Sequence, residues 1–173
     1  ISKIIDLNNQ TNLCDLGTGA GFPGIVLKIF YPNLKITLID SLNKRINFLN
    51  EVIKELKLKD IEAIHTRIED YAKDNRVKFD IVTARAVAPM NILLELSMPL
   101  VKIDKYFIAM KGNLDNEPTY TNVLNILNCT LIETKEFILP IENSNRSLVK
   151  IQKHSKTPQE FPRKYNDIKK KPL

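Results

Sequence analysis

The sequence contains little of what several classes of protein require. Only two cysteines, Cys14 and Cys129, occur among 173 residues, and they lie far apart without a cluster of metal-ligand residues beside them. A disulfide-stapled extracellular domain is therefore not expected, and a reducing compartment such as the cytoplasm is. We assign no metal site to the two histidines, His65 and His154. No uninterrupted apolar run approaches the length of about 18 residues that a membrane span needs.

The composition is typical of one soluble globular domain, with 43% hydrophobic and 27% charged residues and a net charge of +6. The charge is concentrated at the end of the chain, because residues 154–173 carry six basic and two acidic residues, which gives +4 of the +6. A basic tail on a near-neutral body suits a polyanionic partner. A solvated, partly disordered tail is the alternative that composition leaves open.

Short β-type runs alternate with helical patterns, which indicates a mostly parallel α/β sheet. The predicted strands are 12–16, 35–40, 61–65, 79–84 and 106–110, followed by an antiparallel pair at the sheet edge, 130–139 and 147–153. The first helix is predicted to bury Ile25, Val26, Ile29 and Phe30. The second is predicted to be capped by Ser41 or Asn43. Further helices are predicted at about 92–96 and 116–127.

A glycine-rich turn, DLGTGAGFPG (15–24), follows the first strand. Alternate glycines let the backbone turn tightly and approach a ligand without Cβ collisions, and the start of the next helix supplies free N–H groups. Gly19, Gly21 and Gly24 match the G-x-G-x-x-G pattern of dinucleotide-binding proteins, whereas no P-loop sequence occurs. A nicotinamide dinucleotide and S-adenosylmethionine are both candidate ligands, and a turn whose glycines serve packing alone is the plainer alternative.

Two carboxylates favour S-adenosylmethionine. Asp15 lies at the strand end, where it would meet the ammonium group of that compound but would sit badly beside a pyrophosphate. Asp40 ends the second strand, where a carboxylate accepts hydrogen bonds from both ribose hydroxyls. With the strand pattern, they predict the Rossmann-like fold of a class I S-adenosylmethionine-dependent methyltransferase, an α/β protein with a seven-stranded mixed sheet. An NAD(P)-dependent oxidoreductase is the alternative enzyme.

Longer segments resemble one family, the RsmG or GidB family of 16S ribosomal RNA guanine-N7 methyltransferases. The similar segments are CDLGTGAGFPG (14–24), LIDSLNKRINFLNEVIKEL (38–56), DIVTARAVA (80–88), PLVKIDKYFIAMKG (99–112) and TPQEFPRKYNDIKKKPL (157–173). The pieces DSLNKR and TARAVA are specific to that family. The resemblance implies methyl transfer from S-adenosylmethionine to N7 of a specific guanosine. It also implies 16S rRNA or the small ribosomal subunit as partner, a cytoplasmic monomer, and no DNA or membrane partner.

The resemblance also implies site residues. Gly17 and Phe22 in the turn, Ile68 and Glu69 beside the adenine, and Arg85 after the fourth strand would contact the cofactor. The complete predicted cofactor set is Asp15, Gly17, Gly19, Phe22, Asp40, Ile68, Glu69 and Arg85. Plainer alternatives are a core aromatic at 22, the first apolar residue of a helix at 68, and an acidic first helical turn at 69.

Family members usually carry a helical section before the first strand, whereas this chain reaches that strand at Asn12. We therefore expect a methyltransferase domain over 1–153 without that section, followed by a basic tail over 154–173. The tail reads Tyr165-Asn166-Asp167 where the family tends to have a proline-glycine pair, so its turn geometry is expected to differ.

Guanine N7 presents an in-plane lone pair, so its methylation needs no general base, and we assign no catalytic residue. Alignment of the reacting atoms, which is worth about 7–11 kcal/mol, is the expected source of rate. A basic rim is expected to hold RNA phosphates. Its predicted members are Arg85, Lys111, Arg146, Arg163, Lys164, Lys169, Lys170 and Lys171. A non-catalytic RNA-binding or ribosome-assembly protein on the same fold is the alternative outside the enzymes.

Overall fold

The structure, a computed structural model, describes residues 1–7, 11–115 and 117–173, in which strands and helices alternate. The elements in chain order are β1 (Asn12–Leu16), α1 (Gly24–Phe30), β2 (Lys35–Asp40), α2 (Asn43–Glu55), β3 (Ile61–His65), α3 (Ile68–Asp74), β4 (Phe79–Arg85), α4 (Met90–Ser97), β5 (Val101–Lys111), α5 (Thr121–Ile126), β6 (Cys129–Ile138), β7 (Asn145–Lys153) and α6 (Tyr165–Lys170). None of the described helices is long and apolar enough to cross a membrane.

The strands form one seven-stranded mixed sheet in the order β3-β2-β1-β4-β5-β7-β6. The first five strands are parallel, and β7 pairs antiparallel with both β5 and β6. The strand order reverses between β1 and β4, because β2 and β3 are added on one side of β1 and β4 on the other. Open α/β sheets bind ligands at such a point, beyond the carboxyl ends of their strands. The predicted fold class, including the antiparallel pair at the edge, is confirmed.

Helices cover both faces of the sheet, so the central strands are buried on each side. On one face, α1 and α2 contribute Ile25 and Leu49 to a core cluster with Leu13 and Leu38. On the other, α3, α4 and α5 pack on a larger cluster whose strand residues include Val82 and Phe107. Because both faces of the central strands are covered, a ligand can reach these strands only at their ends.

The predicted apolar face of α1 is wrong in part. Ile25 is buried, whereas Ile29 is 51% and Phe30 74% exposed. The helix has only seven residues, and it turns Leu27 and the stem of Lys28 towards the sheet instead. Lys28 is tolerated there because its ammonium group donates to the carbonyl oxygens of Pro32 and Leu34.

The predicted capping of α2 is wrong as well. Its N-cap residue is Leu42, and within the described structure no side chain caps this helix start. Asp40 acts just before the helix, where its Oδ1 accepts a hydrogen bond of 2.9 Å from the Leu42 N–H. The side chain at the end of β2 therefore orders the chain that enters α2.

Other boundaries differ from the prediction where exposure interrupts the apolar pattern. Strand β5 starts at Val101 instead of residue 106, because its first half has exposed positions that hide the strand signal. Helix α5 is shorter than predicted and begins at Thr121, after Pro118. Asn116, the first residue of that predicted helix, lies outside the described residues.

The chain beyond β7 contains a short helix, α6, that the composition does not indicate. Ile168 of α6 is fully buried and packs against Ile92 and Leu96 of α4. Upstream of it, the Arg76 guanidinium donates to the backbone carbonyl oxygens of Thr157, Pro158 and Phe161. Residues 154–173 are thus packed on the body of the protein, and the proposed boundary of a separate tail at residue 154 stays a prediction.

Candidate functional site

The glycine turn joins β1 to α1 at the carboxyl edge of the sheet. Gly17 and Gly19 both have φ of +62°, in the left-handed region that other residues rarely adopt. A Cβ atom at Gly17 would lie 2.8 Å from Cγ2 of Val87, whereas one at Gly19 would meet no described heavy atom within 4 Å. Packing therefore requires glycine at 17, while the space beside Gly19 is open to a ligand.

Asp15 lies beneath this turn and is fully buried. Its Oδ2 accepts hydrogen bonds from Oγ1 of Thr18 (2.6 Å) and from the N–H of Gly24 (3.0 Å). Its Oδ1 is buried without a hydrogen-bond partner among the described residues. Burial raises the pKa of Asp15 to about 6, and the two hydrogen bonds and the nearby Arg85 only partly oppose that rise.

Asp40 at the end of β2 is also buried, but both of its oxygens have partners. Oδ2 accepts from the Gly19 N–H (3.0 Å) and pairs with Nη1 of Arg45 (3.1 Å). Together with the Leu42 N–H on Oδ1, these bonds tie the glycine turn to the start of α2. A carboxylate accepts about four hydrogen bonds. Asp40 already has four, two of them from Nη1 of the half-exposed Arg45, so a ligand hydroxyl would take the place of that guanidinium.

A cavity of about 310 Å³, here called the smaller cavity, opens between the ends of β1, β2 and β3. Among the predicted cofactor residues, it is lined by Gly17, Asp40, Ile68 and Glu69. Glu69 is buried in the first turn of α3, and its Oε1 lies 4.0 Å from Nη1 of the exposed Arg67. The structure therefore brings together residues that are distant in sequence, and their roles as cofactor ligands stay predictions.

A second cavity of about 790 Å³, the larger cavity, adjoins the first. Both are lined by Gly17, Arg45 and Ala86, so the two cavities are neighbours beside the glycine turn. Phe22 and Arg85 line the larger cavity, with the guanidinium carbon 5.5 Å from the ring centroid. Phe22 is 47% exposed, which removes the interpretation that it is a core aromatic.

Two residues of the predicted basic rim, Lys111 and Arg146, also line the larger cavity. Lys111 Nζ lies 2.6 Å from Oε1 of Glu117 and donates to the Ala88 carbonyl oxygen at 2.8 Å. Arg146 Nη2 lies 3.4 Å from Oε2 of the exposed Glu142. Each of these cations already has a protein partner, and their contact with RNA stays a prediction.

The basic residues of the C-terminal segment fall into two groups. Arg163 forms a bidentate ion pair with the fully buried Glu95, with Nε to Oε1 at 2.9 Å and Nη2 to Oε2 at 2.6 Å. This hydrogen-bonded pairing raises the pKa of Arg163 and makes it an internal anchor. The exposed lysines of this segment are Lys156, Lys164, Lys169, Lys170 and Lys171, and the last four of them belong to the predicted basic rim.

Sequence reasoning missed three side chains at the two cavities. Arg45 lies five residues after Asp40, in the first turn of α2, and belongs to the DSLNKR segment, so its pairing with Asp40 had a signal in the sequence. Glu117 pairs with Lys111, the last residue of β5. Tyr165 lines the smaller cavity although it lies near the C-terminal end of the sequence. Neither spacing nor composition indicates these last two contacts.

Comparison with known proteins gives a family for residues 1–149, which match the model of GidB, rRNA small subunit methyltransferase G. A ribosomal RNA small subunit methyltransferase G of Desulforamulus reducens is 47% identical over 99% of this chain and 73% of its own length. The protein of that name in Bacillus cytotoxicus is 45% identical over 97% of this chain and 72% of its own.

Solved structures with low sequence identity share the fold. A mutant of MtNAS in complex with S-adenosylmethionine is 14% identical, with a TM-score of 0.68 over 89% of this chain and 59% of that chain. P. horikoshii TYW2 in complex with MeSAdo is 13% identical, with a TM-score of 0.67 over 87% of this chain and 58% of that one. At this identity the likeness shows a class I methyltransferase fold.

Proposed function

This chain belongs to the GidB family of rRNA small subunit methyltransferases, and we propose that it methylates N7 of a guanosine in 16S ribosomal RNA. It is an S-adenosylmethionine-dependent rRNA methyltransferase, since the family match and the relatives extend over most of the chain. The observation that carries the assignment to this site is the arrangement of two buried carboxylates, Asp15 and Asp40, around an open glycine turn.

The residues present fit S-adenosylmethionine. The unpaired Oδ1 of Asp15 needs a donor, and the ammonium group of the cofactor is one. Ribose hydroxyls would replace the half-exposed Arg45 guanidinium on Asp40, and Ile68 offers an apolar contact at the wall of the same cavity. The open space at Gly19 lets a ligand approach the backbone. When bound, S-adenosylmethionine supplies a methyl group on a positively charged sulfur.

The glycine turn and the loop after β4 would do the positioning at the junction of the cavities. Gly17 and Ala86 line both cavities, so a nucleoside in the smaller one and a base in the larger one would meet beside them. Guanine N7 attacks with its own lone pair, and no side chain has to remove a proton. Orientation by rigid strand ends is then the main contribution of the protein.

The larger cavity suits the RNA side of the reaction. Phe22 presents an exposed ring on which a base could stack, and Arg85 lies over that ring. We propose that Arg85, Arg146 and the exposed lysines of the C-terminal segment hold phosphates around this opening. We propose further that the protein is a cytoplasmic monomer that acts on rRNA and not on DNA.

A nicotinamide-dependent oxidoreductase is not favoured. The pyrophosphate of a dinucleotide would come close to the buried carboxylate of Asp15, which has no cation paired with it among the described residues. Desolvation and repulsion would both oppose that contact. A thermal-shift comparison of S-adenosylhomocysteine with NAD and NADP separates the two ligands, and only the first is expected to raise the melting temperature.

Methyl transfer onto small ribosomal subunits that lack the modification tests the proposal. With labelled S-adenosylmethionine, we expect the label to enter 16S rRNA at N7 of one guanosine, as mapped by cleavage of the RNA at N7-methylated positions. Label on another atom would overturn the N7 assignment. RNA binding without any label would instead favour the non-catalytic assembly protein.

A further inference from the structure

Tyr165, the first residue of α6, lines the smaller cavity with Asp40, Ile68 and Glu69. The other three side chains stand at or just beyond the carboxyl ends of β2 and β3. Tyr165 reaches the same space from the C-terminal segment, so that segment forms one wall of the predicted cofactor site.

Two contacts fix the position of Tyr165. Ile168, one turn further along α6, is fully buried against Ile92 and Leu96, and both Tyr165 and Ile68 pack on the same cluster. Two residues before Tyr165, the bidentate pair of Arg163 with the fully buried Glu95 holds the backbone. The backbone N–H of Arg163 also donates to Glu95 Oε1 at 2.9 Å. The tyrosine is therefore held on both sides.

We propose that Tyr165 is a cofactor-binding residue that completes the nucleoside side of the smaller cavity, with Arg163 and Ile168 as its positioning residues. The proposal rests on the proposed function, because it takes the smaller cavity as the site of S-adenosylmethionine. A phenol ring beside Ile68 would cover the face or edge of an adenine and exclude water from it.

The test uses the full chain and two ligands, S-adenosylhomocysteine and 5′-methylthioadenosine, which carries the nucleoside without the amino-acid group. We expect Tyr165→Ala to raise both dissociation constants by the same factor, about tenfold, which is the size of a lost base–aromatic contact. Tyr165→Phe keeps the ring and should bind both ligands like wild type. Asn166→Ala, an exposed change next to Tyr165 on the same helix, is the matched control and should leave both constants unchanged.

Equal affinity of Tyr165→Ala and wild type would overturn the inference. A loss limited to S-adenosylhomocysteine would also overturn it, because it would place the effect at the amino-acid end. Should the alanine variant not fold, Tyr165→Leu retains apolar packing without the ring and is expected to show the same joint loss. A wild-type chain that binds neither compound would overturn the proposed function itself.

A separate observation concerns the partly buried ion pair of Lys111 and Glu117 in the larger cavity. Their side chains are only 10% and 17% exposed. Lys111 Nζ bonds to Glu117 Oε1 (2.6 Å) and to the Ala88 carbonyl oxygen (2.8 Å), and the Met90 N–H donates to Glu117 Oε2 (2.8 Å). The pair is thereby fixed to the loop that follows β4.

Hydrogen-bonding capacity remains on both groups. An ammonium group has three donors, of which Lys111 uses two, and each carboxylate oxygen of Glu117 has a second lone pair. The pair thus presents a donor beside acceptors. Guanine carries the complementary order on its Watson–Crick edge, an O6 acceptor beside the N1–H and N2 amino donors, whereas adenine has a donor and then an acceptor there.

From this match we infer that Lys111 and Glu117 select guanine, with Lys111 donating to O6 and Glu117 accepting from N1–H and the 2-amino group. This second inference also rests on the proposed function. Methylation at N7 leaves the Watson–Crick edge free for such contacts, because N7 lies on the other edge of the base. The roles given to Lys111 here replace the phosphate contact predicted from its charge.

The test measures kcat/KM for methyl transfer to 16S RNA that carries guanosine or inosine at the mapped target, since inosine lacks only the 2-amino group. We expect wild type to prefer guanosine by about tenfold or more. Glu117→Gln should be slower on guanosine, and its preference over inosine should shrink towards one. Glu142→Gln, a change in an exposed carboxylate, should keep the wild-type preference.

An unchanged preference in Glu117→Gln would overturn this inference, because a purely structural ion pair would slow both substrates equally. Glu117→Asp, which retains the charge and shortens the reach, is the second variant if the amide fails to fold, with the same reduced preference expected. If the wild-type protein transfers no methyl group to N7, the proposed function itself is refuted, together with the inference on guanine selection.

Discussion

The two adjoining cavities differ in which charge is buried and which is exposed. In the smaller cavity the carboxylates of Asp40 and Glu69 are buried, whereas their partners Arg45 and Arg67 are 51% and 65% exposed. In the larger cavity the cationic Arg85 is exposed and stacks on Phe22. A ligand thus meets fixed acceptors in the smaller cavity, and in the larger one an exposed cation with an aromatic ring beside the Lys111–Glu117 ion pair.

This difference explains how one sheet edge can bind two unlike molecules. Fixed acceptors suit the hydroxyl and ammonium donors of S-adenosylmethionine, while exposed cations and a ring suit the phosphates and bases of RNA. If the division holds, changes at one cavity should leave binding at the other intact. The following changes test that separation.

Asp40→Ala is expected to have the largest effect on the smaller cavity. Loss of an ionised acceptor for two ribose hydroxyls should raise the dissociation constant for S-adenosylhomocysteine about a hundredfold or more. Calorimetry provides that constant, and filter binding should show unchanged affinity for 16S RNA. Glu51→Ala, an exposed change on α2, is the control for charge removal. Equal losses of cofactor and RNA affinity in Asp40→Ala would contradict the separation of the two cavities.

The pH dependence of cofactor binding should report Asp15. Burial raises the pKa of Asp15 to about 6, and a bound ammonium group favours the ionised carboxylate. Affinity for S-adenosylhomocysteine should be constant above that pH and fall by up to tenfold per pH unit below it. Asp15→Asn should bind more weakly and lose this pH dependence. A flat wild-type curve between pH 7 and pH 5 would limit Asp15 to supporting Thr18 and Gly24.

The RNA side is tested by replacing Lys169, Lys170 and Lys171 together with alanine. If all three contact phosphates, affinity for 16S RNA should fall roughly tenfold, and the slope of log affinity against log salt should shrink by about two. Cofactor affinity should not change. The matched control removes three exposed lysines elsewhere, Lys54, Lys57 and Lys59. Equal slopes in wild type and the Lys169–Lys171 variant would exclude these lysines from the RNA contact.

The smallest effect is expected from alanine at Gly19. Gly17 and Gly19 both have φ of +62°, so alanine at either position costs about 1 kcal/mol of backbone strain. At Gly17 the new Cβ also meets Val87, and we expect a further loss of about 1–3 kcal/mol. Denaturant unfolding should therefore rank wild type above Gly19→Ala, and Gly19→Ala above Gly17→Ala. The reverse ranking would contradict the turn geometry.

The parts of the site that lie next to buried strands could be predicted from the sequence. Strands β1 and β2 are buried after their first residue, so the carboxyl ends of these strands, and with them Asp15 and Asp40, followed from the pattern. The exposure of Ile29 and Phe30 could not be predicted, because a short helix does not indicate which of its apolar residues face the sheet.

Contacts between distant segments escaped prediction for a different reason. Helix α6 contains one buried apolar residue, Ile168, which is too few for a periodic signal. The pairing of Arg163 with Glu95 depends on tertiary packing, so charge alone made Arg163 resemble the exposed lysines that follow it. Charge counts therefore located the basic segment, but they could not distinguish the internally paired Arg163 from the exposed lysines.

A crystal structure of the protein with S-adenosylhomocysteine tests the central claim most directly. We predict the ribose hydroxyls on Asp40, the adenine against Ile68 in the smaller cavity, and the ammonium group close to Oδ1 of Asp15. The sulfur should face the larger cavity beside Gly17. A ligand bound outside the smaller cavity, or one whose ribose lies away from Asp40, would contradict the account.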